Sequence, residues 1–281
     1  MKKIAYLNGK FVEQGLSHLS LRDLGLLRGY GVFDVSRVFS GTVFCHKEHW
    51  DRLVNGAHTL GFALPLDQPR HQEVIHTLLQ YNNKTNTDPI AVRTIITGGV
   101  SEGGFLPEGE ETFVVMLEDV HTPPDTIYQN GAQLQTLEYK RDFPWVKTTQ
   151  YIMPISYRRQ HPGGKDVFEL LYTWQGKVLE ASTSNISIVK NNTIISPREN
   201  ILGGITRLVA LRIAREMDIR VFERDITLEE FFDADEVFLT ASNKKIVPIV
   251  AVDNKKIAKG ISGKITLRLL REYEKITEGK R

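Results

Sequence analysis

The sequence contains only one cysteine, Cys45, among its 281 residues. A single cysteine excludes an internal disulfide and any zinc site built from cysteine pairs, so we expect a protein of a reducing compartment. Cys45 follows the apolar residues Val43 and Phe44, and this context predicts a small buried side chain within a strand.

Long apolar runs and an excess of charge of either sign are also absent. No stretch approaches the roughly 20 apolar residues that a membrane-spanning helix needs, and the polar start Met1-Lys2-Lys3 is unlike a signal peptide. The formal net charge is +2, and the basic residues are scattered along the chain. We therefore expect a cytoplasmic protein with neither a membrane nor a nucleic acid as its partner.

Several catalytic signatures are missing as well. The sequence has no Gly-x-Ser-x-Gly nucleophile elbow, no Walker-type phosphate loop and no pair of histidines at metal-ligand spacing. The string Gly29-Tyr30-Gly31 is too short to be a dinucleotide fingerprint. These absences argue against serine hydrolases, P-loop enzymes and zinc enzymes, and we predict no metal site.

What is present is a succession of strand and helix patterns. Asn8-Gly9 separates two short apolar runs and predicts a hairpin, and Ser40-Gly41 predicts a second hairpin over 31–44. Trp50, Leu53 and Ala57 recur at helical spacing within a predicted helix over 46–61. Further predicted strands cover 90–97, 112–117, 133–137, 168–172, 186–189, 237–240 and 247–250, and further predicted helices cover 72–81, 205–217 and 261–273.

The chain is long enough for two domains, and a polar stretch with two prolines, His121-Thr122-Pro123-Pro124, predicts where they meet. We expect a smaller N-terminal domain over 1–120, a linker over 121–128 and a larger C-terminal domain over 129–281. Strands and helices are interspersed on both sides of this boundary, so the predicted fold class is α/β with some α+β character.

Two segments indicate a site for an anion and a reactive amine. Gly203-Gly204 directly precedes a predicted helix, where free backbone N–H groups and the helix dipole attract an anion and Thr206 adds a hydroxyl. The alternative is that the glycines only form a tight turn. Lys147 lies between an apolar pair and two threonines, a setting for a half-buried lysine that forms a Schiff base, although a solvated lysine is the alternative.

Two further side chains are candidates for binding. Glu180 ends an apolar strand and is followed by small polar residues, which suggests the polar wall of a site, although a surface carboxylate at a strand end is the alternative. Arg52, in the His49-x-x-Arg52 pattern of the first long helix, has the planar guanidinium that binds anions with two hydrogen bonds. The alternative for Arg52 is a solvated helix face.

In their order along the chain, these features resemble the class IV aminotransferases, which are the fold type IV pyridoxal-phosphate enzymes. The motifs that carry the resemblance are Arg28-Gly29-Tyr30-Gly31-Val32-Phe33-Asp34, His49 to Leu53, Lys147, Glu180 with Asn185, Gly204-Ile205-Thr206-Arg207 and Ala234 to Thr240. The resemblance covers nearly the whole chain. It implies two lobes, with pyridoxal 5'-phosphate (PLP) in the cleft between them.

The resemblance also implies a role for each matching residue. Lys147 would hold PLP as a Schiff base and move the proton, and Glu180 would pair with the pyridine nitrogen. Tyr151 and Arg141 would lie near the ring hydroxyl. The residues that would hold the phosphate are Arg52, Gly204, Ile205, Thr206 and Ser242.

The resemblance implies an amino acid and a 2-oxo acid, such as 2-oxoglutarate or pyruvate, as substrates, and a homodimer as the assembly. The run Thr148-Thr149-Gln150 departs from the aminodeoxychorismate lyase pattern, and the strand around Arg93 keeps only the arginine of the branched-chain pattern. We expect a transaminase of D-amino acids, with an L-branched-chain aminotransferase and then the lyase as alternatives. The candidate substrate-binding residues are Arg28, Tyr30, Arg93 and Lys244.

Overall fold

The computed structural model describes residues 3–85, 88–161 and 167–277. The chain divides into two compact units. Unit 1 combines Met1–Val120 with Val146–Gln150, and unit 2 combines His121–Trp145 with Tyr151–Arg281. Each unit contains a β-sheet with helices, which agrees with the mixed α/β class that the sequence predicts.

Unit 1 is built on a sheet in which every pairing between named strands is antiparallel. Its strands are β1 (Ile4–Leu7), β2 (Lys10–Glu13), β3 (Gly31–Phe39), β4 (Thr42–Val43), β5 (Ile90–Thr97) and β6 (Thr112–Asp119), in the order β2-β1-β6-β5-β3-β4. Both predicted hairpins are confirmed. Their turn residues have positive φ, at 45° and 87° for Asn8 and Gly9 and at 49° and 76° for Ser40 and Gly41, as tight hairpin turns require.

The α-helices that the structure describes in unit 1 are α1 (Leu24–Arg28), α2 (His46–Thr59) and α3 (Gln68–Tyr81). Trp50, Leu53, Val74 and Leu78 from α2 and α3 are buried in the core with the sheet residues. Helix α3 begins four residues before its predicted start, because the side chain of Asp67 accepts the backbone N–H of Arg70 at 2.9 Å.

Two short features of unit 1 differ from the sequence predictions. Helix α1 was not predicted, and it forms because the Asp23 carboxylate accepts the Gly25 N–H at 2.7 Å and Gly29 ends the helix at φ 63°. Cys45 is not in a strand. It precedes α2 at φ 49° and is only half-buried.

Unit 2 is built on a mixed sheet. Its strands are β7 (Ala132–Glu138), β8 (Val167–Trp174), β9 (Lys177–Ala181), β10 (Asn185–Lys190), β11 (Thr193–Ser196), β12 (Arg220–Glu223), β13 (Ile226–Thr227), β14 (Glu236–Ala241), β15 (Lys245–Val252) and β16 (Lys255–Lys256). The order is β12-β11-β10-β14-β15-β7-β8-β9-β13, with β16 beside β15. The parallel pairs are β7 with β8, β7 with β15, and β11 with β12.

The helices of unit 2 are α4 (Asp125–Asn130), α5 (Ile152–Gln160), α6 (Ile205–Glu216), α7 (Leu228–Phe232) and α8 (Lys264–Thr277). Helix α6 begins directly after Gly204, as predicted, whereas α8 begins three residues after its predicted start, and α4, α5 and α7 were not predicted. Within the described ranges of the chain, every helix is too short or too polar to cross a membrane.

The segment that carries Lys147 lies in unit 1, although the sequence prediction placed it in the C-terminal domain. Val146 is 1% exposed and belongs to the apolar core of unit 1. The Phe33 N–H donates to the Lys147 carbonyl at 2.9 Å, and the Thr149 N–H donates to the Gly31 carbonyl at 3.0 Å. Residues 147–149 therefore pair with the first half of β3, a contact between distant residues that no local pattern reveals.

Candidate active site

Lys147 is fixed in unit 1 by its backbone and by an aromatic ring. The backbone pairing with β3 holds the residue in place, and its side chain is half-buried. The Nζ atom lies 4.7 Å from the centroid of the Phe33 ring. The electron-rich face of a phenyl ring attracts a cation at this distance, so Phe33 restricts where the amine points.

Arg52 lies on α2 and pairs with a buried carboxylate. Its Nε donates to Asp34 Oδ2 at 2.7 Å and its NH2 donates to Asp34 Oδ1 at 3.0 Å. His49, one turn earlier on the same helix, contacts Asp34 Oδ1 through Nδ1 at 2.6 Å. Burial alone would raise the pKa of Asp34, but Arg52 and His49 together lower it well below its usual range. Asp34 is therefore ionised and orients the guanidinium that the sequence assigns to a phosphate.

The other candidates of unit 1 have different surroundings. The Tyr30 hydroxyl donates to the Leu60 carbonyl, and Arg93 Nε donates to Glu118 Oε1 at 2.6 Å. The Arg93 guanidinium also lies 5.1 Å from the Phe33 centroid, so the structure brings Arg93 and Lys147 to the same ring. Arg28 is exposed at the end of α1.

Glu180 is the most firmly held of the predicted residues in unit 2. It lies near the end of β9 and is 5% exposed. Its Oε1 accepts Arg141 Nε at 2.9 Å and Arg141 NH2 at 2.7 Å, while Oε2 accepts the Leu202 N–H at 2.9 Å. The Asn185 amide is a further donor at 3.5 Å. Four donors therefore fix this carboxylate, and Arg141 contacts Glu180 directly.

Gly204 precedes α6 at a point where a side chain has no room. A Cβ at this position would lie 1.8 Å from Asn185 Oδ1. Asn185 Nδ2 is held in turn by the Leu202 carbonyl at 2.8 Å. Among the described residues no side chain caps α6, so the first N–H groups of the helix remain available to an anion.

Arg207, the last residue of the Gly-Ile-Thr-Arg motif, has a structural role. Its Nε donates to Ser196 Oγ at 2.6 Å, and its NH2 donates to the Pro197 carbonyl at 2.8 Å and to Glu223 Oε2 at 3.0 Å. Ile205 and Thr206 are buried at the first turn of the same helix. The arginine thus anchors α6 to β11 and β12.

Tyr151 directly precedes α5 and is half-buried in unit 2. Burial raises the pKa of the nearby Tyr172 hydroxyl, and the charges of Glu180 and Tyr151 are among the smaller contributions that raise it further. Tyr151 and Glu180 therefore both lie close enough to the Tyr172 hydroxyl to affect its pKa.

Lys244 has a carboxylate partner of its own. Its Nζ donates to Glu169 Oε1 at 2.7 Å and to Thr183 Oγ1 at 2.5 Å, and Glu169 is 3% exposed. Burial would raise the pKa of Glu169, but Lys244 and the neighbouring donors lower it below its usual value. The charge of Lys244 is thus balanced inside unit 2, and the structure does not favour Lys244 as a ligand of the substrate carboxylate.

Two residues of this region were missed at the sequence level. Glu169 is a carboxylate inside the apolar run 167–174, and that position was the available signal. Thr240 lies opposite Asn185 in the pairing of β10 with β14, so both side chains project from the same face of the sheet. Its hydroxyl is buried and has no hydrogen-bond partner among the residues that the structure describes.

Comparison with known proteins decides the family. A sequence model of the family described as amino-transferase class IV matches residues 31–252. The chain belongs to this family. Class IV aminotransferases use PLP, so the protein is a PLP-dependent aminotransferase, as the sequence motifs predict.

The relatives of this aminotransferase include enzymes of two kinds. A putative branched-chain-amino-acid aminotransferase of Methanocaldococcus jannaschii is 33% identical over 280 residues, which cover 96% of this chain and 95% of the relative. A D-alanine aminotransferase of Staphylococcus aureus (strain N315) is 28% identical over 286 residues, which cover 99% of each chain. The substrate therefore does not follow from the relatives alone.

Solved structures confirm the fold class. The branched-chain amino acid aminotransferase of Escherichia coli has a TM-score of 0.86 and 23% identity, and the match covers 100% of this chain and 96% of that one. The branched-chain aminotransferase of Thermoproteus uzoniensis with norvaline has a TM-score of 0.89 and 23% identity, with the same coverage. This aminotransferase therefore has the fold of the type IV PLP enzymes.

The residues of unit 2 fit this cofactor in two respects. Helix α6 begins after Gly204 without a side-chain cap among the described residues, so an anionic group there would meet the first N–H groups of the helix. The buried Thr240 hydroxyl and the half-buried Ser242 lie at the end of β14, the strand that pairs with β10 at Asn185. A phosphate with several acceptor oxygens suits this set of donors.

Proposed function

We propose that the enzyme moves an amino group between a D-amino acid and a 2-oxo acid such as 2-oxoglutarate or pyruvate. The observation that carries the transaminase chemistry is the buried, ionically paired Glu180. The preference for D-amino acids is supported by the Staphylococcus aureus relative, a D-alanine aminotransferase that matches 99% of the chain. It is further supported by the segment 27–34, the Thr97-Gly98-Gly99 loop and Lys147-Thr148, which resemble the corresponding segments of a less typical branch of D-amino-acid transaminases.

Lys147 is proposed as the residue that binds PLP covalently. Once the amine of the substrate has displaced it, the freed Lys147 amine would take the proton from the substrate Cα, a general-base role that suits a positioned lysine. The ring of Phe33, 4.7 Å from Nζ, limits the directions in which the amine can point. When bound, PLP supplies the electron sink for the charge left at that carbon.

Glu180 is proposed as the partner of the pyridine nitrogen. Arg141 holds it by two donors to a single oxygen, Oε1, and stabilises its charged form. A fixed anion at this position favours a protonated ring nitrogen, because the opposite charges attract in a site with little water. Tyr151 is proposed to lie near the ring hydroxyl.

The phosphate is proposed to bind to Gly204, Ile205, Thr206, Ser242 and Arg52. The first three supply the N–H groups and the hydroxyl at the start of α6, and Ser242 supplies a second hydroxyl. Arg52 adds a positive charge whose direction Asp34 sets. Of the predicted substrate ligands, Arg28 is exposed, whereas Tyr30, Arg93 and Lys244 already contact groups of their own unit. We keep Arg28 as the candidate for the substrate carboxylate and infer that two chains form a homodimer.

The preference for D- over L-amino acids is tested by a half-reaction scan. The holoenzyme is mixed with single D- or L-amino acids, and the visible absorbance of lysine-bound PLP is followed. We expect the absorbance to change with D-alanine and related D-amino acids. Reaction with L-leucine, L-isoleucine and L-valine alone would show that the branched-chain alternative is correct.

The L-branched-chain reaction remains the second candidate, because the Methanocaldococcus jannaschii relative with 33% identity carries that name. The third candidate, aminodeoxychorismate lyase, differs in that it needs no amino acceptor and releases pyruvate.

The assignment of Lys147 as the residue that binds PLP has its own test. The variant Lys147→Ala should lose the absorbance of lysine-bound PLP, and its persistence would show that a different residue holds the cofactor.

A further inference from the structure

The loop that contains Ser242 is tied to a distant turn by a buried ion pair. Residues 241–244 form a turn in which the Lys244 N–H donates to the Ala241 carbonyl at 3.1 Å. We call this the β14–β15 turn. The Lys244 side chain extends from this turn to Glu169 on β8, which is 75 residues away in the sequence. The Lys244 ammonium also lies 5.6 Å from the centroid of the Phe168 ring.

Glu169 uses both of its oxygens to hold a second turn, residues 182–184, which we call the β9–β10 turn. Its Oε2 accepts the Thr183 N–H at 2.7 Å, the Thr183 hydroxyl at 3.0 Å and the Ser182 hydroxyl at 3.1 Å, while Oε1 accepts the Ser184 hydroxyl. This turn joins Glu180 on β9 to Asn185 on β10. One carboxylate therefore fixes the segment between the two residues.

The two turns also meet through Lys244 itself. Its Nζ donates to Thr183 Oγ1 at 2.5 Å, and its carbonyl accepts the Tyr128 hydroxyl at 3.1 Å. Lys244 is 16% exposed and Glu169 is 4% exposed in their side chains. An ion pair this well buried is costly to break, because removing one partner leaves the other charge without compensation.

We propose that Glu169 and Lys244 are positioning residues, which lock the β14–β15 turn to the β9–β10 turn and so hold Ser242, Glu180 and Asn185 in register for PLP. This inference rests on the proposed roles of Ser242 and Glu180. Neither Glu169 nor Lys244 touches the cofactor in this scheme. The ion pair joins the β14–β15 turn to the β9–β10 turn, so that neither turn is displaced without the other.

The test compares two neighbouring lysines. Lys244→Met removes the pair, whereas Lys245→Met removes the adjacent lysine, whose Nζ contacts Glu274 on α8 at 2.5 Å. Amide hydrogen exchange in the holoenzyme should become roughly tenfold faster in both turns for Lys244→Met and stay unchanged there for Lys245→Met. Equal exchange in the two variants would overturn the proposal.

The second measurement is the dissociation constant of PLP. Lys244→Met should raise it about tenfold, and Lys244→Arg, which keeps the charge, should restore it to within roughly threefold of the parent. In a double-mutant cycle, Glu169→Gln with Lys244→Met should be no worse than the more damaging single change. Additive effects would show that the two residues act separately and would contradict the proposal.

These results separate this inference from the proposed function. If Lys147→Ala keeps the lysine-bound absorbance, the assignment of the cofactor lysine fails, whatever the exchange data show. If exchange rises in both turns of Lys244→Met while the PLP dissociation constant is unchanged, the turns are coupled but do not position the cofactor. That outcome would overturn the positioning role alone.

Discussion

The amide oxygen of Asn185 occupies the space that a side chain at Gly204 would need. A Cβ built on Gly204 would lie 1.8 Å from that oxygen, far inside contact distance. Asn185 cannot move aside without breaking its 2.8 Å hydrogen bond to the Leu202 carbonyl. Packing against Asn185 therefore requires a glycine at the position before α6.

Gly204→Ala should accordingly weaken PLP binding and lower the free energy of unfolding by about 2 kcal/mol, the cost typical of overpacking. The control is Gly203→Ala, because a Cβ on Gly203 meets no atom within 4 Å and the residue does not have the positive φ that disfavours alanine. Urea unfolding and PLP titration measure the two effects. Similar losses for both alanines would mean that the contact with Asn185 is not the cause.

Asp34→Asn should destabilise the protein by about 3 kcal/mol, because it leaves the Arg52 guanidinium without its buried carboxylate. It should also weaken PLP binding, since Arg52 loses the group that orients it. Asp51→Asn, which breaks the exposed pair with Lys47 on the same helix, should leave the urea midpoint unchanged. An unchanged midpoint for Asp34→Asn as well would contradict this account.

The carboxylate of Asp34 also predicts that the folding stability depends on pH in the acid range. The pKa of Asp34 is lowered in the folded protein, so its contribution to stability is complete above the unfolded value of about 3.9 and is lost as the pH falls toward the folded value. Between pH 5 and pH 2 the parent should lose stability more steeply than Asp34→Asn. Chemical unfolding at a series of pH values measures both slopes, and parallel curves would rule the effect out.

His71 predicts a second pH dependence of the folding stability, between pH 5 and pH 8. Burial first, and the neighbouring His46 second, lower the pKa of His71 to about 3. The unfolded chain therefore binds a proton below about pH 6.5 that the folded protein does not, and stability at pH 5 should be about 2 kcal/mol lower than at pH 8 from this group.

His71→Leu should flatten that slope, whereas His76→Leu, an exposed histidine on the same helix, should not. The comparison is made on the difference between pH 8 and pH 5 rather than on absolute stability, because His71 also contacts Thr94 at 2.8 Å. A parent with equal stability at the two pH values would refute the prediction.

Glu180→Gln should reduce kcat about a hundredfold, because a neutral amide does not stabilise a protonated pyridine nitrogen. PLP should remain bound, since Lys147 and the phosphate ligands are unchanged. Glu138→Gln, an exposed carboxylate at the end of β7, is the control and should keep full activity. If the kcat of Glu180→Gln stays near that of the parent, the carboxylate does not serve the ring nitrogen.

Local features of the fold were largely predictable from the sequence. The hairpin turns at Asn8-Gly9 and Ser40-Gly41 and the start of α6 after Gly204 follow from residues whose backbone preferences act over a few positions. The helices α1 and α5 were not predicted, because α1 depends on the Asp23 cap and α5 has a weak apolar pattern in which only Pro154 is buried.

The sequence by itself determined the family and the cofactor, because the motifs around Lys147, Glu180 and Gly204 keep their order and residue types along the chain. Only the tertiary structure placed the Lys147 segment beside β3 and paired Lys244 with Glu169, Arg141 with Glu180 and Arg52 with Asp34. The physical reason is distance along the chain. Propensities and periodicity act between neighbours, whereas a buried charge meets its partner only after the segments that carry both have packed.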